Sequence, residues 1–260
     1  MDLGLQGKVA LVTGASRGIG RAIARQFSAE GARLALVARS GAALAEAAAE
    51  LGGECLCQPA DLSTQKGVEE AVAATAAHYG RVDILVNNAG SIPAGDFLTM
   101  PDEAWLNAYA LKLHGYIRAA RAVFPLMRDS GGGRIINVIG ATARNPQPNY
   151  MAGGIANAGL VNFTKGLADL GAPHGILVAG VSPAATATER IEEQFIQIAA
   201  ATGASVESVR AERLAKYPLG RMAAPDDIAS TVVFLASARA AFISGICVTV
   251  DGNSTRGVWL

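Results

Sequence analysis

Short apolar runs recur along the chain at Val9–Val12, Leu34–Val37, Glu54–Gln58, Ile84–Val86, Ile135–Ile139, Ile176–Val181 and Cys247–Val250. Most are apolar at successive rather than alternate positions, which is how strands read when both of their faces are covered. Between them lie Ala-rich stretches of helical length, such as Gly18–Glu30, Ala42–Leu51 and Lys66–His78. Strand and helix alternate, and no Pro-, Gly- or Ser-rich linker divides the chain. The pattern predicts one doubly wound α/β domain over residues 1–260, a seven-stranded parallel sheet with helices on both faces. The rhythm breaks once. In residues 188–216 two helical segments follow the sixth strand with no strand between them, and an insertion at a strand's carboxyl end is read as a substrate lid.

Composition removes several function classes. Lys+Arg and Asp+Glu stand at 22 each in 260 residues, so no nucleic-acid or anionic-membrane partner is expected. No run reaches the roughly 18 apolar residues of a membrane span. The first residues, MDLGLQGKVALVTG, begin with an acidic residue and enter a strand directly, which predicts no signal peptide. The three cysteines, Cys55, Cys57 and Cys247, are too few and odd in number for a disulfide framework and suit a reducing cytoplasm. Cys55 and Cys57 are expected to face opposite sides of a strand, and with no His or second Cys pair beside them no metal site is predicted. His78 and His114 read as surface or packing histidines.

The first strand runs into Thr13-Gly14-Ala15-Ser16-Arg17-Gly18-Ile19-Gly20, which opens a helix. Glycines there let backbone N–H groups approach a pyrophosphate at a helix N-terminus, and the turn lies about 20 residues before the second strand ends. That strand closes on Val37-Ala38-Arg39-Ser40. An NAD site wants a carboxylate near this point for the ribose hydroxyls, and Ala38 offers none. Arg39 and Arg17 instead supply cations for a 2′-phosphate, so the expected cofactor is NADP(H).

Over nearly its whole length the chain resembles the short-chain dehydrogenase/reductase family, in particular its 3-oxoacyl-ACP-reductase-like members. The motifs are the glycine run, Asp61-Leu62, Asn87-Asn88-Ala89-Gly90, Ser182-Pro183 through Thr188, and the tail from Gly220-Arg221 to Val250-Asp251-Gly252. The resemblance implies that Asp61 and Leu62 bracket the adenine. By the same token Asn88, Ala89 and Gly90 line the ribose and nicotinamide side, and Pro183 to Thr188 cover the carboxamide. Pro183-Ala184 stands where the family usually has Pro-Gly. It also implies a homotetramer built through two long helices and the C-terminal strand, with Trp259 and Leu260 near an interface.

The family moves a proton with a Tyr tuned by a Lys, aided by a Ser and an Asn. By the family's spacing these four positions fall here on Gly153, Asn157, Gly140 and Lys112. The register is fixed by Leu160–Ala168, and the thirteen-residue step from Gly140 to Gly153 needs no gap. Asn157 can still hydrogen-bond a nicotinamide ribose, but a neutral amide cannot depress a neighbour's pKa. Two residues are candidates to replace the missing acid: Tyr150, whose hydroxyl could swing over Gly153, and Lys112, whose ammonium loses protons readily if desolvated. Three readings follow for a chain acting on a small molecule. One is an NADP(H)-dependent oxidoreductase of a small or medium carbonyl or alcohol with an atypical acid/base group. The second is a cofactor-binding protein without turnover, and the third a lyase or isomerase on the same fold.

Overall fold

The computed structural model describes residues 2–255. Trp259 and Leu260, expected near an interface, lie outside the described residues. Seven parallel strands form one sheet: β1 (Val9–Thr13), β2 (Arg33–Ala38), β3 (Cys55–Pro59), β4 (Ile84–Asn87), β5 (Gly133–Val138), β6 (Ile176–Pro183) and β7 (Cys247–Val250), in the order β3-β2-β1-β4-β5-β6-β7. Strand β1 shows why its run is continuously apolar. Ala10 and Val12 enter one core with Ile23 and Phe27 of α1 (Gly18–Ala29) and Ile228 and Val232 of α9 (Pro225–Ala236). Val9 and Leu11 enter the opposite core, with Val68 and Val72 of α3 (Gln65–Tyr79) and Val123 and Met127 of α5 (Leu113–Asp129). Side chains alternate sides along a strand, so covering both faces demands apolar residues at every position.

Strand order reverses between β1 and β4. Chains entering on either side of that point leave a crevice beyond the strands' carboxyl ends, where open α/β sheets bind ligands. After β6 come α7 (Glu189–Thr202) and α8 (Val206–Leu214) with no strand between them. Among the described residues no helix is long and apolar enough to cross a membrane.

One local expectation changes. Cys55 and Cys57 pack against the same core, and the Cys57 thiol donates to the Leu44 carbonyl. Residues two apart in a strand share a face, so the two cysteines lie on one side of the sheet and not on opposite sides. Helix α4 (Asp102–Leu111) gives way to α5 at Lys112. Lys112 keeps helical dihedrals, φ −78° and ψ −49°, so the chain direction persists through the break.

Candidate active site

At the crevice lies a cleft of about 850 Å³, within the range of small-molecule and cofactor sites. Its phosphate end is the turn after β1. Gly14 and Gly18 have φ of +66° and +54°, a left-handed backbone that glycine adopts without a steric penalty. Gly14, Ser16, Arg17, Gly18 and Ile19 line the cleft. Gly20 does not: it lies beneath the turn, where a Cβ would come within 2.1 Å of the Gly14 carbonyl oxygen. Its role is close packing of helix on turn.

The end of β4 is bolted to this turn. Thr13 Oγ1 donates to the Val86 carbonyl at 3.1 Å and accepts from the backbone N–H of Asn88 at 2.8 Å and of Ala89 at 3.1 Å. Asn88 Nδ2 donates to the carbonyls of Thr13 and Gly14 at 3.0 and 3.2 Å. Asn88, Ala89 and Gly90 all face the cleft, as do Pro183 and Thr188 opposite them.

At the adenosine end Arg39 and Leu62 line the cleft and Asp61 does not. The Asp61 carboxylate is turned onto Ser63, accepting from its N–H at 3.0 Å and its hydroxyl at 2.7 Å. Those bonds hold its pKa below the usual carboxylate value. Arg39 makes no hydrogen bond or ion pair among the described residues, whereas Arg17 Nη1 meets Glu193 Oε1 at 3.1 Å.

The other end of the cleft gathers the residues expected to carry chemistry. Lys112 lies at the rim of α5, its stem against Gly90, and its Nζ donates to the Ile139 carbonyl at 2.6 Å. Burial, reinforced by the nearby charge of Arg190, lowers its pKa from 10.5 to about 7. Gly140, next in the chain, has φ +152°, and a Cβ there would lie 2.8 Å from Asn157 Nδ2. Asn157, on α6 (Met151–Gly171), is buried outside the cleft lining. Its Nδ2 donates to Thr142 Oγ1 at 2.7 Å, while its Oδ1 has no partner among the described residues. One turn earlier on α6, a Cβ on Gly153 would fall 1.8 Å from Tyr150 Cε1. The Tyr150 ring therefore occupies the space that a side chain at 153 would need.

The structure separates the two candidate acids. Lys112 lines the cleft and Tyr150 does not. Burial raises the Tyr150 phenol's pKa more than the nearby charge of Arg190 lowers it. Arg190 donates to the carbonyls of Gly90 at 3.2 Å and Ile92 at 2.8 Å. With Glu189 and Glu193 it puts three charged residues of α7 on the cleft wall. Motif reading missed all three. Their one local signal is position, in the first turns of the helix that follows the Thr188 motif.

The family model described as Enoyl-(Acyl carrier protein) reductase matches residues 14–255. The short-chain reductase protein NovJ of Streptomyces niveus is 36% identical over 253 residues, covering 95% of this chain and 94% of that protein. Among solved structures, L-sorbose reductase from Gluconobacter frateurii in complex with NADPH and L-sorbose superposes with a TM-score of 0.95 at 33% identity, covering 99% of this chain and 100% of the other. The 3-ketoacyl-(acyl-carrier-protein) reductase of Brucella melitensis, complexed with NADH, gives 0.87 at 32% identity, covering 96% and 99%. A seven-stranded doubly wound sheet, a glycine turn bolted to the end of β4 and likeness along the full chain agree: the protein belongs to the short-chain dehydrogenase/reductase family, whose members catalyse oxidoreduction of carbonyl and alcohol substrates.

Proposed function

We propose that this chain is an NADP(H)-dependent oxidoreductase in which Lys112 exchanges the proton with the substrate oxygen. The observation that carries the reading is the place of Lys112: an amine on the cleft wall, anchored by one N–H to Ile139 and poised near neutrality. A general acid or base works best with a pKa near the working pH. A nicotinamide dinucleotide, when bound, supplies or accepts the hydride at the substrate carbon.

The residues present fit that cofactor. The N-terminus of α1 and the Gly14–Gly18 backbone offer N–H groups to a pyrophosphate. Arg39, at the end of β2 on the cleft wall, and Arg17 offer cations to a 2′-phosphate. The L-sorbose reductase complexed with NADPH is in keeping with that choice. Asn157 Oδ1, buried and unpartnered, offers an acceptor to a ligand hydroxyl behind Gly140. Helices α7 and α8 form the lid, with Arg190 and Glu193 holding α7 across the cleft. Three free thiols suit a cytoplasmic protein, and the assembly in this reading is a homotetramer.

The chain's own residues then act in sequence. Arg190 holds the lid in place through the carbonyls of Gly90 and Ile92. Lys112 gives its proton to the oxygen as the carbonyl carbon is reduced and takes it back in the oxidative direction. Tyr150 lies outside the cleft lining with its ring against Gly153, and burial raises its phenol's pKa, so it packs there rather than exchanging protons.

A second reading has its own observation. Tyr150 and Asn157 fill the room beside Gly153 and Gly140, which is how a site kept for binding alone would close. Steady-state NADPH consumption with a panel of carbonyl compounds decides between them. Lys112→Met should lower kcat by on the order of a hundredfold or more with KM little changed. Less than a tenfold loss removes Lys112 from the reaction, and saturable NADPH binding with no turnover favours the binding protein.

A further inference from the structure

We infer that the substrate carries a carboxylate, received by Arg190 with Lys112 beside it, so that the compound reduced is an oxo acid and its partner the hydroxy acid. The inference rests on the reading of Lys112 as the proton-exchanging group.

Two cations stand at one end of the cleft without an acid between them. Lys112 is anchored on the carbonyl of Ile139. Arg190 is anchored on the carbonyls of Gly90 and Ile92. All three partners are neutral. The two cations are close enough for Arg190 to disfavour the charged form of Lys112, and among the described residues no acidic group offsets the effect.

The acidic residues of α7 are committed elsewhere. Glu192 Oε2 meets Arg210 Nη2 at 2.5 Å and Glu193 meets Arg17 at 3.1 Å, while Glu189 stands over Gly18 at the phosphate end. Building two like charges into one wall is unfavourable unless a ligand compensates. A guanidinium has five N–H groups and the described hydrogen bonds use two, which leaves donors for a ligand. Its planar fork matches a carboxylate better than it matches a neutral hydroxyl.

Geometry also separates this end from the cofactor's own anions. The phosphate-binding features lie at the ends of β1 and β2, whereas Arg190 and Lys112 reach the carbonyls after β4 and β5. Leu111, Val138, Ile139 and Pro183, which also line the cleft, are apolar and suit a short carbon chain.

The test compares acetoacetate and 2-oxobutanoate with their methyl esters as NADPH-dependent substrates of the full-length protein. The acids should show a kcat/KM at least about a hundredfold above the esters. Arg190→Gln should bring that ratio to within a few-fold, mostly through KM, and Arg190→Lys should restore part of it. Esters or neutral ketones turned over as well as the acids would overturn the inference, as would preference for a phosphorylated ketone such as dihydroxyacetone phosphate. If no compound is turned over, calorimetric titration of 3-hydroxybutyrate into the protein saturated with NADPH still decides. Saturable binding lost in Arg190→Gln upholds the carboxylate site while the reductase reading fails. No binding overturns the site as well.

Discussion

Gly153 is bare because Tyr150 is not. The ring lies where the side chain of 153 would begin, so any residue larger than glycine must drive it out. Gly153→Ala should therefore destabilise the protein by about 1–3 kcal/mol, the usual cost of overpacking. In a Tyr150→Ala background the same change should be neutral or stabilising, since alanine is the better helix former by roughly 1 kcal/mol. Urea denaturation of the four proteins measures the coupling, and equal effects in both backgrounds would show that the ring does not need the glycine. Lys112 makes the opposite trade, function against stability. Its pKa falls from 10.5 to about 7 on folding, so between those values the unfolded chain binds the extra proton. Stability then rises as pH climbs through that window, and the penalty is complete below about 7. Lys112→Met, which removes the buried charge, should unfold at a higher temperature than the parent at pH 6, with the gap closing toward pH 10. A parent and variant that keep the same gap at both values would mean the amine is not shifted. The reductive rate should fall as pH rises through about 7 and the oxidative rate should rise, because the amine is donor in one direction and acceptor in the other.

At the scale of elements, α7 is the part that turns a crevice into a site. Arg190 fixes its first turn to the loop after β4, and Glu193 ties the next turn to Arg17 across the opening. The second tie uses a cation that a 2′-phosphate also wants. Glu193→Gln should free Arg17 and tighten NADPH by up to about fivefold, since an exposed ion pair is worth about 0–1 kcal/mol. Weaker binding in a fluorescence titration would instead mark the pair as a clasp over the cofactor. Arg39→Asp should weaken NADPH by about 1.5–3 kcal/mol, the range of a hydrogen bond to a charged group, and spare NADH. Equal affinity of the parent for both cofactors would end the 2′-phosphate assignment. The difference between these helices and the strands also explains what the sequence disclosed. Strands covered on both faces leave an apolar run in each segment, and the glycine turn needs its residues adjacent, so the fold and the phosphate end were legible. Arg190 acts by reaching carbonyls about a hundred positions away, and Asp61 turns to a neighbouring serine rather than to the cleft. Neither choice leaves a mark in local spacing.

For the whole molecule, the remaining question is what covers the apolar surface away from the cleft. Phe242 is fully exposed, and Ile246, just before β7, is 46% exposed. On α6, Ile155 and Leu170 are 55% and 59% exposed. Strand β7 is the edge of the sheet, so one side of its backbone has no strand beside it among the described residues. Unpaired edges and contiguous apolar surface are liabilities that native proteins cover. Two separate surfaces, one at the edge strand and one along α6, are what an assembly with two kinds of two-fold contact requires, and such an assembly closes at four chains. Light scattering at micromolar concentration should then report a mass four times that of the chain. Ile155→Asp should remove one contact and Phe242→Asp the other, each giving dimers. A monomeric parent, or variants that both remain tetrameric, would place neither surface in an interface.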